Sequence, residues 1–190
     1  IKETILNRLL TDSLIDKDAT NQLFSETINH SKETNYFTLI VSLEVTDDSP
    51  VLARDSFSQQ LLSHLTHLKL DDTVEWVATQ HTENEMVLLV AITRLSSEES
   101  VVDFISQAMI DFCGVALPIG VGQTTSDILM TKHSYIEALT ALNNRFSNHH
   151  ETIFYFEEIT ESNANHTNDF QFPKDLQLKL IQSLQLGNQM

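Results

Sequence analysis

The sequence predicts an α+β fold: a ferredoxin-like, antiparallel-rich sheet with packed helices, plus connector helices at both ends. Short apolar stretches rich in β-branched residues alternate with segments whose apolar residues recur every three or four positions. After the opening helices, the elements follow the order β-α-β-β-α-β-α-β, and the first six form the split βαβ arrangement. With 190 residues, 41% of them apolar, the chain is long enough for one domain with a substantial core.

The opening segment predicts two helices, because apolar residues recur at helical spacing on both sides of a charged break at 16–18. We assign residues 1–34 to these N-terminal connector helices. The two stripes consist of Ile5, Leu6, Leu9 and Leu10, and of Leu23, Phe24 and Ile28.

The centre of the predicted sheet is YFTLIVSLEV, residues 36–45, which has almost no charge and fits a buried strand. A helix over residues 57–72 follows, with Phe57, Leu61, Leu65 and Leu68 at helical spacing. Residues 73–80 then alternate in character, and residues 85–93 form a second apolar run after a few polar residues. These two runs predict a hairpin.

The next helix is predicted from a capping-box spacing, with Ser96 three residues before Glu99. The stripe Val102, Ile105, Met109 and Phe112 continues it for about sixteen residues. Cys113, the lone cysteine, is expected to be a small buried residue at the end of this helix.

Residues 115–122, VALPIGVG, predict a strand with Gly120 and Gly122 on one face, where missing side chains allow close packing. A long amphipathic helix and a last strand at 152–159 complete a domain at 35–160. A polar linker and a helix that begins near Pro173 occupy 161–190. The long helix is marked by Ile128, Tyr135, Leu139, Leu142 and Phe146.

Charge and composition restrict the function. The formal net charge of −16 repels a phosphate backbone, so we expect no direct nucleic-acid binding by this chain. No apolar run is long enough to span a bilayer, and a single cysteine suits a reducing cytoplasm. The chain begins without an initiator Met or a signal peptide, so we expect a fragment of a longer protein.

Histidines offer weak metal candidates. His64 and His67 lie three apart on a predicted helix, but no third ligand stands at a telling spacing, so a solvated pair is the favoured interpretation. His149 and His150 fall in a loop, where we also favour solvent exposure. His133 and Ser134 diverge on a helix and make no nucleophile pair. We expect no metal and no cofactor.

Two motifs carry a family resemblance. Gly120 and Gly122 belong to an I-G-V-G strand, and the helix after it carries Ser134, Tyr135, Glu137 and Ala138 in an S-Y-x-E-A-x-x-A-L pattern. This pair resembles the second half of degenerate GGDEF-type domains in bacterial transcription regulators. Residues 172–188 resemble the segment that follows this domain in AraC-type regulators of Firmicutes, although Gln177 departs from the usual Glu. The resemblance covers about residues 36 to 188.

The resemblance implies that the hairpin turn holds what remains of a catalytic signature. The five signature positions fall on Thr82, Glu83, Asn84, Glu85 and Met86. The glycine pair that admits a guanine nucleotide is replaced by residues with a Cβ, and only the second acidic position matches. At the end of the first strand, the metal-binding aspartate has only Glu44 or Asp47 as counterparts. We therefore expect a non-catalytic remnant.

The expected function is that of a regulatory domain of an AraC-type regulator. Such a domain couples an upstream sensor, membrane-anchored in larger relatives, to a downstream helix-turn-helix unit that binds DNA. A cytoplasmic homodimer would form through the terminal helices, with Ile5 and Leu9 at the first and Leu176, Leu180 and Leu184 at the last. Packing of these stripes on their own sheet remains an alternative, as does a sensor module that binds a small ligand or a nucleotide.

Overall fold

The α+β prediction is confirmed by a computed structural model that describes residues 1–11, 17–30, 33–44, 56–148 and 150–166. Five strands form one sheet in the order β2-β3-β1-β4-β5. All neighbouring strands are antiparallel except β4 and β5, which are parallel. The strands are β1 (Thr34–Ser42), β2 (Val74–Thr82), β3 (Glu85–Thr93), β4 (Ile119–Val121) and β5 (Ile153–Tyr155).

Helices cover both faces of the sheet. On one face α4 and α5 pack over Phe37, Leu39 and Val41 of β1. On the other face α1, α3 and α6 pack over Ile40 and its neighbours. Because β1 is buried on both faces it needs a continuous apolar run, which is what 36–45 predicted. The helices are α1 (Lys2–Thr11), α2 (Lys17–Thr20), α3 (Glu26–His30), α4 (Phe57–His67), α5 (Glu98–Cys113), α6 (Thr131–Asn143) and α7 (Phe156–His166).

Strand order follows from the hairpin and the two crossovers. β2 and β3 form the hairpin, β3 pairs with β1 along its whole length from Thr34↔Thr93 to Ser42↔Glu85, and β4 joins on the other side of β1. The first four strands therefore have the split βαβ arrangement, in which β1 lies between β3 and β4. β5 extends the sheet beside β4.

Several local predictions were wrong. The second opening helix is two short helices, α2 and α3, with a turn between them. The capping box does not form: Ser97 precedes α5, and the Ser96 hydroxyl contacts the Thr73 hydroxyl instead. The strand predicted at 152–159 ends at Tyr155, and the chain turns directly into α7, which occupies the start of the predicted linker.

The apolar stripes predicted for α5 and α6 are not buried as far as their last residues. Phe112 on α5 and Phe146 after α6 are exposed to 37% and 64%, although both were assigned to buried faces. Cys113 is buried, as predicted, and its Sγ donates to Met109 O. The terminal stripe of Leu176, Leu180 and Leu184 lies outside the described residues, as do Asp47 and His149.

The chain divides into two compact units, residues 1–157 and 158–190. All strands and helices α1 to α6 belong to the first unit. None of the helices in the described ranges is long and apolar enough to cross a membrane.

Candidate functional site

The hairpin places the five residues proposed as signature positions, Thr82 to Met86, at one end of the sheet. Thr82 ends β2, Glu83 and Asn84 form the two-residue turn, and Glu85 begins β3. Met86 is fully buried in the core beneath α4 and α5. Met86 is therefore a packing residue, whereas Thr82 to Glu85 lie at the surface or are only partly covered.

The turn does not have the backbone conformation that a glycine pair provides. Among the residues that the structure describes, Ser56 and Gly114 are those with positive φ, so Glu83 and Asn84 both have negative φ. A shift of register between Gln80 and Thr82 marks a β-bulge at His81. The Asn84 N–H lies 3.3 Å from Thr82 Oγ1, and Asn84 O accepts from Leu43 N. The turn is thus tied to β1 by its own backbone.

At the end of β1, the carboxylate of Glu44 is bound to an arginine. Arg145 Nη2 lies 2.8 Å from Glu44 Oε1, and the arginine side chain is only 16% exposed. Its Nη1 donates to Leu142 O, and its guanidinium lies 4.4 Å from the centre of the Phe146 ring. Glu44, which the sequence offered as a counterpart of the metal-binding aspartate after β1, therefore has a cationic partner.

Tyr135 lies between α6 and the bulge of the hairpin. Its ring meets the His81 ring edge-on, with centroids 5.5 Å apart. Burial, followed by the nearby negative charge of Glu85, raises the pKa of the Tyr135 hydroxyl above its ordinary value. The Tyr135 ring therefore packs against the hairpin at His81.

The predicted close approach at Gly120 and Gly122 is confirmed. A Cβ built on Gly120 would lie 2.1 Å from Ala138 O, and one on Gly122 would lie 1.9 Å from Ser134 O. Helix α6 therefore lies against the bare backbone of β4. The alanine of the helical motif is fully buried at this contact.

The polar residues of the helical motif bind backbone groups where β4 ends. Ser134 Oγ accepts from Thr38 N at 3.0 Å, and Glu137 Oε2 accepts from Gln123 N at 2.9 Å. Sequence reasoning assigned Ser134 to packing but missed both hydrogen bonds. The feature that indicates these hydrogen bonds is a one-residue change of register between the pair Leu39↔Val121 and the bridge Tyr36↔Thr125. This change of register can be seen only in the folded sheet.

The histidine candidates do not come together. His64 stacks on Phe112, with ring centroids 4.6 Å apart, and His67 Nδ1 is 2.6 Å from Ser63 O. His133 is exposed, and so is His150. Within the described part of the chain, no group of three or more His, Cys, Asp or Glu residues is arranged to hold a metal ion.

A cavity of about 310 Å³ that sequence reasoning missed lies at the carboxyl ends of β4 and β5. Glu98, from the first turn of α5, lines it and accepts a hydrogen bond from the Thr124 hydroxyl. Burial raises the pKa of the Glu98 carboxyl above its ordinary value of 4.5, the Thr124 bond opposes this, and Glu157 and Glu99 add to the rise.

This carboxyl predicts a dependence of stability on pH. Because the folded state holds the proton more tightly than the unfolded state does, stability is gained at low pH and lost as pH rises through the folded pKa. We expect the free energy of unfolding, measured by urea titration between about pH 5 and about pH 8, to fall less in Glu98→Gln than in the native chain. Asp103→Asn, on the exposed side of α5, is the control. Parallel curves for Glu98→Gln and the native chain would contradict the prediction.

No protein-family model matches the sequence, and comparison with curated proteins finds no significant match.

Proposed function

We propose that this domain is a non-catalytic regulatory domain of an AraC-type transcription regulator. It would couple an upstream sensor to a downstream helix-turn-helix unit that contacts DNA. The observation that carries the proposal is the hairpin end of the sheet, where Glu44 is paired with Arg145 and the turn residues Glu83 and Asn84 have negative φ. The resemblance of the two sequence motifs to degenerate GGDEF-type domains, and of residues 172–188 to the segment that follows them in AraC-type regulators, supports the proposed family.

We expect no phosphoryl transfer at this end of the sheet. Metal-assisted transfer needs carboxylates free to bind Mg²⁺ and a backbone or lysine that cradles phosphate. Here Glu44 pairs with Arg145, and the turn offers Glu83 and Asn84 in a conformation with negative φ. The carboxylates of Glu83 and Glu85 repel a nucleotide phosphate unless a metal intervenes.

The packing of α1 supports a route for the signal. Leu6, Leu9 and Leu10 are buried against the sheet, in one core with Val77 of β2 and Val87 of β3. Asn7 Nδ2 also donates to Thr79 Oγ1 at 3.2 Å. A displacement of α1 would therefore disturb β2 and β3, the two strands of the hairpin. In the proposed relay, α1 is the element that changes between two packed arrangements.

The same packing bears on the expected homodimer. The stripe of α1 is used inside its own domain, with Ile5 half-buried and Ile1 92% exposed. In our proposal the dimer contact therefore falls to the C-terminal segment, residues 167–190, which precedes the proposed DNA-binding unit. Light scattering on the purified chain measures the mass of the particle and hence whether a dimer forms. The matched sample is a chain truncated after residue 166, which lacks the proposed dimer contact.

The absence of catalysis is tested by incubating the chain with GTP and either Mg²⁺ or Mn²⁺, with product analysis by chromatography and binding measured by calorimetry. We expect no cyclic dinucleotide, no hydrolysis and no binding of GTP. Arg145→Gln releases the carboxylate of Glu44 and should still give no turnover, because the turn lacks its glycine pair. Turnover by the native chain, lost in Glu85→Gln, would refute the proposal.

The relay is tested separately, in the intact regulator. Ile5→Ala loosens the contact of α1 with its core, and Lys2→Ala changes only an exposed position of the same helix. We expect the first substitution, and not the second, to change transcript levels at the controlled promoters, measured by RNA sequencing at equal protein abundance. Equal transcript profiles for both variants and the native regulator would rule out signal transfer through α1.

A further inference from the structure

The backbone that follows β4 contains a β-bulge opposite β1. Gly122 N donates to Thr38 O at 3.0 Å, and further on Thr125 exchanges two backbone hydrogen bonds with Tyr36. On β1 a single residue lies between these two pairs, whereas on the other side residues 123–124 both lie between them. The extra residue interrupts the ladder of backbone hydrogen bonds, so that β4 itself has only 3 residues.

Two side chains of α6 bind the backbone N–H groups that the bulge sets free. In a continuous antiparallel ladder, Thr38 N would donate to Gly122 O. Here Thr38 N donates to Ser134 Oγ at 3.0 Å, and both residues are buried. Gln123 N, which belongs to the bulge, donates to Glu137 Oε2 at 2.9 Å. Ser134 and Glu137 lie about one turn apart on α6 and therefore form a clamp that holds the bulge at two points.

The same residues can also form a continuous register without a bulge. In that register Thr124 takes the place of Thr125 opposite Tyr36. Thr38 N then has an acceptor in Gly122 O. Thr124 N, which makes no hydrogen bond in the described part of the chain, then has an acceptor in Tyr36 O. The pairs that β4 makes with β1 do not change, so the close contact of its glycines with α6 is kept in both registers.

We propose that the segment after β4 is an element with two registers, and that the clamp of Ser134 and Glu137 holds it in the bulged one. The register determines the wall of the cavity at the carboxyl ends of β4 and β5, because residues 121–124 line that cavity. In the bulged register the Thr124 hydroxyl donates to Glu98 Oε2. In the continuous register residue 124 shares the face of the two glycines, toward α6 and away from α5, and this hydrogen bond is lost.

This inference goes beyond the proposed function and does not require it, because the register is a property of the folded domain alone. The clamp residues belong to α6, which is in contact with α1. A displacement of α6 that draws Ser134 away from Thr38 removes the acceptor of a buried N–H and thereby favours the continuous register. A domain with a single register would leave the proposed function intact.

The experiment is amide hydrogen exchange, followed by NMR, on the native chain and on the double variant Ser134→Ala/Glu137→Ala, which lacks both points of the clamp. In the native chain we expect the Thr125 amide to be protected and the Thr124 amide to exchange rapidly. In the double variant protection should pass from Thr125 to Thr124, with a change of about tenfold or more at each amide. Thr140→Ala is the control, because its hydroxyl bonds only within α6, and it should keep the native pattern.

Deletion of Gln123 tests the second register without a change in α6. The deletion removes the extra residue, so the hydrogen bonds on both sides of the bulge join into one continuous ladder. We expect this chain to fold and to protect the Thr38 amide even when Ser134→Ala is added. The proposal is overturned if either the deletion variant or the double variant does not fold. It is also overturned if the double variant keeps the native pattern, or if its Thr124 amide gains no protection.

Discussion

Gly122→Ala is expected to destabilise the domain by about 3 kcal/mol or more, or to prevent folding. The added Cβ would lie 1.9 Å from Ser134 O, a backbone atom of α6, so trimming a side chain cannot relieve the clash. Helix α6 would have to move away from β4, and the bond from Thr38 N to Ser134 Oγ would be lost with it. Urea unfolding followed by circular dichroism measures the change.

Gly114→Ala is the matched control for this substitution. Gly114 ends α5 with φ of +76°, and a Cβ there meets no atom of the described residues within 4 Å. Its cost is therefore limited to the left-handed backbone, about 1–2 kcal/mol. If Gly122→Ala costs no more than Gly114→Ala, the close contact between α6 and β4 does not exist.

Leu6→Ala is expected to lower the free energy of unfolding by about 2–5 kcal/mol, because Leu6 is fully buried between α1 and the sheet. The loss should appear as a fall in Tm of roughly 2–4 °C for each kcal/mol. A single cooperative transition is expected, since the helix belongs to the same core as Val77 and Leu89.

Ile1→Ala is the control beside the same helix, and at 92% exposure it should change stability by less than about 0.5 kcal/mol. This pair of variants separates two views of α1, a loosely attached connector and an integral layer of the domain. A connector would give a small effect at Leu6 and a separate early transition for the helix. That result would remove the route that the proposed relay uses.

Elements with a strong pattern and ordinary length were predicted correctly. β1, β2 and β3 each carry apolar or alternating residues, and α5 carries a stripe over four turns, so local sequence and tertiary burial agree. The contact at Gly120 and Gly122 was also predictable, because two glycines on one face of a strand leave room for another backbone to approach closely.

Elements whose pattern is ambiguous were placed by tertiary contacts. The run after Ile153 is as apolar as a strand, yet only three residues pair with β4, and Phe156 begins a helix. The capping box at Ser96 failed because the Ser96 hydroxyl contacts Thr73, a partner from another turn of the chain. A propensity scale contains no information about such a partner.

The sequence by itself determined the fold class, the hairpin, the residues at the proposed signature positions and the glycine contact, because each depends on residue types at short spacing. Only the tertiary structure decided that Arg145 binds Glu44 and that Ser134 takes up the N–H of Thr38. It also decided that a bulge follows β4 and that side chains of α6 hold it. These contacts join residues far apart in the chain, and their partners are chosen by how the layers pack.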